Sequence, residues 1–162
     1  MINSRNIVTV LVATGLLGLA AYGFARFFSR NGGVSEKEFF YDLSEKKLFT
    51  ASREALPPIR GLNDAQEDAV RAVVISRGNP DDKSTRTIAY LEKYEPELKK
   101  SIADVRAGKA EPLRSAVRNG YRLVKRVEDA EWHRLDTPEG QAILNGWNVA
   151  GTDGKFPVVC VP

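Results

Sequence analysis

Cysteine and histidine are almost missing: the 162-residue chain holds one of each, Cys160 and His133. A lone cysteine excludes an intramolecular disulfide and every multi-cysteine zinc or iron–sulfur site, and a lone histidine excludes sites built on paired histidines. Glycine-rich phosphate loops are missing as well, since neither G-x-x-x-x-G-K-S/T nor a G-x-G-x-x-G following a strand occurs. There is no G-x-S-x-G nucleophile elbow, no internal repeat and no low-complexity tract. Asn79, Asp81 and Asp82 gather oxygen ligands in one loop, but the alternating spacing and closing glutamate of a calcium loop are lacking, so an exposed turn is expected there. The sequence thus calls for no cofactor and no metal.

What is present begins with Ile7 to Ala25, an uncharged run of 19 residues bounded by Arg5 on one side and by Arg26 and Arg30 on the other. As a helix it would span roughly 28 Å, close to the hydrocarbon thickness of a bilayer, with every backbone amide satisfied internally. A transmembrane anchor over residues 1–28 is the expectation. A cleaved secretory signal is the alternative, because Gly23-Phe24-Ala25 offers the small residues a signal peptidase prefers, although the apolar core of such signals is usually about 7–15 residues. Thr14, Gly18, Ala21 and Ala25 form a stripe of small side chains that would permit close helix–helix packing. Flanking charge gives a slight bias towards the cytoplasm for the following domain, whereas the six-residue tail before the run favours export, and the extracytoplasmic side is the expectation.

The net charge of +3 would ordinarily invite a nucleic-acid reading. Arg5, Arg26 and Arg30 are, however, the only charged residues before position 31, and they account for the whole excess. The remainder is formally neutral and lacks the field that drives phosphate-backbone binding, so no nucleic-acid partner is expected. The lipid bilayer is the partner that the flanking arginines suit.

Residues 29–37, with Gly32-Gly33, read as a linker, and 38–162 as one soluble α+β domain with a mainly antiparallel sheet and two to three helices. Glu38 to Leu43 and Lys47 to Ala51 should pair as a hairpin about Ser44-Glu45-Lys46. In it Phe39, Tyr41 and Leu43 face one side and Phe40 with Asp42 the other, so both faces need cover. Ala69 to Ser76 and Thr87 to Glu92 read as neighbouring strands. Pro96 opens a helix closed by Gly108, with Leu98, Ile102 and Val105 on one face. Pro112 is expected to start a shorter helix ending at Asn119-Gly120, followed by a strand from Tyr121 to Val127. Thr137-Pro138-Glu139 begins a last helix with Ala142, Ile143 and Trp147 turned inward, and Phe156 to Val161 is a final apolar run.

His133, with acids close in sequence, could in principle serve Cys160 or a serine in an anchored hydrolase. Cys160 sits in VVCVP, the setting of a small apolar core residue. Arg114, Arg118 and Arg122, within the basic stretch 106–126, are candidates for binding a lipid headgroup, the cell wall or an acidic partner, although Gly120 interrupts the helix that would align them. Phe39 and Tyr41, on the aromatic hairpin nearest the anchor, are candidates for contact with a partner.

The apolar start, FFYDLSEKKLF with PPI (Phe39 to Phe49 and Pro57 to Ile59), IAYLEKY (Ile88 to Tyr94), EWH (Glu131 to His133), PEG with NGW, and the ending PVVCVP together resemble a group of uncharacterised single-pass bacterial membrane proteins. That resemblance implies a bacterial anchored domain and brings no catalytic residue. The expectation from the sequence is an anchored accessory or binding subunit of an envelope complex, with a protein partner in the membrane.

Overall fold

Aromatic and β-branched residues alternating across a short turn favour a two-stranded ribbon. The computed structural model, which describes residues 35–63 and 66–162, forms it as β1 (Lys37–Asp42) against β2 (Lys47–Ser52). Ile7 to Ala25, with Thr14, Gly18, Ala21 and Ala25, lies outside the described residues. Among the described residues no helix is long and apolar enough to cross a membrane.

The hairpin turn is held by a carboxylate. Asp42 is fully buried, and it accepts hydrogen bonds from the Glu45 amide at 2.8 Å, the Leu62 amide at 2.7 Å and the Ser44 hydroxyl at 2.9 Å. Those amides, Glu45 and Leu62 first, hold its pKa below the ordinary 3.8. The same contacts lash the hairpin to the loop at Gly61, where any Cβ would run into the Asp42 carboxylate.

β3 (Ala69–Ser76) is the central strand. Its first residues pair with β1 and its last with the short β7 (Val158–Val159), so those two strands share one edge, while β4 (Arg86–Tyr94) takes the other with a bulge after Val73. β5 (Arg122–Lys125) and β6 (His133–Arg134) extend the sheet to the order β2-β1-β3-β4-β5-β6, every pairing antiparallel. A buried centre explains why AVRAVVIS is apolar on both faces.

Among the described residues three α-helices complete the α+β fold. α1 (Pro96–Arg106) buries Leu98 and ends at Gly108, whose φ of +68° glycine adopts without strain. α2 (Ser115–Gly120) starts three residues later than Pro112 suggests. The segment before it stays extended, with Arg114 at φ −58°, ψ 145°, and Leu113 lies with Leu98, Ile102 and Val105 around a small cavity beside α1. In α3 (Pro138–Gly146) the Thr137 hydroxyl accepts from the Gly140 amide, a cap worth about 1 kcal/mol.

The two faces of the sheet carry separate cores. One unites Phe39, Val70, Ala72, Val74, Leu91 and Cys160, with Tyr41, Leu43 and Trp132 packed against it. The other unites Tyr90, Val124, Leu135 and Ile143, with Leu144 and Trp147 from the α3 side. Phe40 is fully buried on the face opposite Phe39, so the hairpin is covered from both sides as its pattern requires. Ile143 and Trp147 turn inward as expected, but Ala142 is exposed. The inward stripe is Gly140, Ile143, Leu144 and Trp147, and position 142 falls off that helical period. The β5 ladder is also shorter than Tyr121 to Val127, and of the final run only Val158 and Val159 pair.

Candidate functional site

Where β4 leaves the sheet, the chain must turn into α1, and its backbone is pinned from both sides. The Tyr94 amide donates to the Pro57 carbonyl at 3.0 Å and the Glu95 amide to the Tyr121 carbonyl at 2.9 Å. A cavity of about 450 Å³ opens at this corner, with Pro58, Pro96, Tyr94 and Leu123 giving it apolar walls. The Lys99 ammonium on its far side donates to the Pro58 carbonyl at 2.8 Å and pairs with Glu67 at 3.1 Å, so its charge is already answered.

Lys93 at the near side is different. Strand alternation puts it on the same face as Leu91, and the β4–β5 register places Leu123 opposite Lys93 and Lys125 opposite Leu91. The Lys93 ammonium lies 4.5 Å and the Lys125 ammonium 5.3 Å from the centre of the Trp132 ring. Lys125 also donates to the Asp129 carbonyl at 2.9 Å. Among the described residues no carboxylate comes within ion-pair distance of Lys93. Burial first, and the like charge of Lys125 second, hold its pKa below 10.5 against the opposing pull of Glu95. Lys93 thus joins the cavity, whose charged lining also includes Glu67, Glu95 and Lys99, to a pair of cations stacked on one indole outside it.

The residues singled out from the sequence do not converge on this corner. Cys160 is 5% exposed inside the first core, and its thiol donates to the Val158 carbonyl at 3.9 Å. His133 stands opposite Val124 in the β5–β6 ladder, on the far face from Lys93. Arg114 and Arg118 are exposed, but Arg122 does not join them. Its guanidinium binds the Glu92 carboxylate at 2.6 Å, and Glu92 is 3% exposed, so this arginine answers a buried charge in the sheet. Phe39 is buried under the Arg86 guanidinium, 5.7 Å from its ring centre, at the base of a second groove of about 320 Å³ that also reaches Lys83. Tyr41 packs half-buried against the first core.

The same face of the sheet as Arg122 carries further pairs. Arg71 meets Glu38 at 2.6 Å and donates to the Tyr94 hydroxyl at 2.7 Å. Burial, reinforced by Glu92, pushes the Tyr90 hydroxyl up to about 12. Lys93 went unmarked in the sequence because surface lysines are common, and Lys125 was read only as one cation of the basic stretch 106–126. The available signal was alternation in IAYLEKY, which sets Lys93 on the core-facing register of a central strand. No family model matches the chain, and no curated protein or solved structure is significantly similar to it.

Proposed function

We propose that the chain is a membrane-anchored, non-enzymatic binding subunit of a bacterial envelope complex, held by the apolar run from Ile7 to Ala25 and presenting its α+β domain on the extracytoplasmic side. The observation that supports a protein partner is the segment 156–161. Phe156, Val158, Val159 and Val161 are each about half exposed or more, while Pro157 and Cys160 between them are buried. The buried pair roots the segment, and the Cys160 amide donates to the Val74 carbonyl at 2.8 Å. Among the described residues β7 pairs with β3 alone, so its other edge is available to an added strand.

A photo-crosslinking side chain in place of Val159, in the full chain in its own membrane, tests this. A discrete protein adduct is expected at position 159 and not at exposed Glu97 on α1. No adduct, or the same adducts from both positions, sinks the proposal. Burial of Cys160 argues against the cysteine version of the hydrolase reading, because the thiol is enclosed in the first core. Of the three spaced arginines the basic-segment reading keeps Arg114 and Arg118, and charge reversal at both that leaves membrane and partner association unchanged removes it.

A further inference from the structure

We propose that the groove over Phe39 binds a small carboxylic acid as its monoanion, with the Arg86 guanidinium holding the carboxylate, Lys83 assisting, and Phe39, Leu48, Val74 and Ile88 taking an apolar body. Three observations converge on this. The lining of the groove carries those two cations and no carboxylate. The Arg86 head is fixed from two sides, since its Nε donates to the Pro80 carbonyl at 2.9 Å and its central carbon stands 5.7 Å from the centre of the Phe39 ring. Among the described residues its two terminal nitrogens make no hydrogen bond, and no carboxylate comes within ion-pair distance of Arg86 or Lys83.

The chemistry of the site selects the ligand class. A guanidinium whose Nε is engaged still presents its terminal nitrogens side by side, and a carboxylate meets that planar fork with two parallel hydrogen bonds. Arg86 is half-buried and Lys83 exposed, so a single charge needs an answer away from water, and a monoanion supplies it. The nearest acids along the chain, Asp81 and Asp82, are exposed in the preceding turn, where solvent screens them. The Asp82 carboxylate accepts from the Ser84 amide at 2.9 Å and the Ser84 hydroxyl at 2.8 Å and not from Arg86. A volume of about 320 Å³ lies at the small end of ligand pockets, which limits the apolar body to a ring or a short chain. No residue of the partner surface at 156–161 lines this groove, so the two readings stand independently.

Phenylacetate, titrated against the full chain in non-ionic detergent and followed by ligand-observed NMR against a detergent-only blank, tests the site. Saturable binding is expected, weakened at least about tenfold by Arg86→Met and about threefold by Lys83→Met. Lys100→Met, on the exposed side of α1, should leave it unaltered. Arg86→Lys keeps the charge but loses the fork, and it should not restore the affinity of the natural chain. Neutral phenylacetamide should bind at least about tenfold more weakly than the acid. That comparison needs no variant, so it serves if Arg86→Met fails to fold. Tighter binding of phenyl phosphate than of phenylacetate overturns the choice of a monoanion. Absence of saturable binding above the blank, equal affinity for acid and amide, or binding unchanged by Arg86→Met overturns the site.

Discussion

Glu92 is the most consequential charge in the sheet. It lies on β4 with its side chain 3% exposed, and its carboxylate receives the Arg122 Nε at 2.6 Å. Arg71 stands opposite Glu92 in the β3–β4 register, but its guanidinium is engaged by Glu38 and by the Tyr94 hydroxyl. Replacing Arg122 by methionine keeps the apolar stem and removes the cation, leaving a buried carboxylate with no countercharge at bonding distance. Breaking a buried pair in this way costs about 3–5 kcal/mol. Glu92 is the deeply buried partner and Arg122 is 24% exposed, so the lower end, about 3 kcal/mol, is expected. For a domain of this size that is a fall in melting temperature of roughly 10 °C.

Urea and thermal unfolding of the full chain in mild detergent, followed by far-ultraviolet circular dichroism, measure the loss. The double variant Glu92→Leu with Arg122→Met should recover most of it, because the penalty is the orphaned charge and not the missing bond. Arg118→Met, at an exposed position, should change stability by less than about 0.5 kcal/mol. If Arg122→Met behaves like Arg118→Met, the pair is not a buried structural unit and the assignment of Arg122 to the sheet interior fails.

Asp42 gives a pH signature. Its folded pKa lies below 3.8, so its stabilisation is fully present above about pH 5 and is lost as pH falls through 3.8 towards the folded value. The stability gap between the natural chain and Asp42→Asn should therefore narrow on acidification, and a gap independent of pH between 7 and 2 would refute the role. Gly140→Ala should cost about 2 kcal/mol by urea titration, since its Cβ would collide with the Arg134 carbonyl; an unchanged midpoint would show that α3 sits farther from β6. Cys160 should resist thiol reagents in the native chain and react once denaturant is added, whereas fast native labelling would contradict its burial in the first core.

Elements with two agreeing local signals were legible in the sequence. The hairpin had alternation and a turn, α1 had Pro96 before and Gly108 after an apolar stripe, and α3 had Thr137 as cap with Pro138 next to it. Where a single proline was the only signal, tertiary packing decided, and the segment from Pro112 to Arg114 stays extended while Leu113 lies alongside α1. The direction of the two hairpin faces followed from a period of two, but the bulge after Val73 and the tandem pairing of β1 and β7 along one edge of β3 are long-range facts that no local pattern carries. The cluster of two lysines on Trp132 was hidden for the same reason. Lys93, Lys125 and Trp132 come from two strands and a loop, and only the register of β4 against β5 brings them together.

The central claim is the membrane anchor, because it holds the domain at the membrane surface where a partner at 156–161 would be met. Peptide mapping of the natural protein, extracted from the membrane pellet of its host after an alkaline carbonate wash, tests it most directly. The expected result is a protein retained in the pellet in which the stretch Ile7 to Ala25 is still joined to Arg26. A chain found in the wash, or one shortened at Ala25, would contradict it.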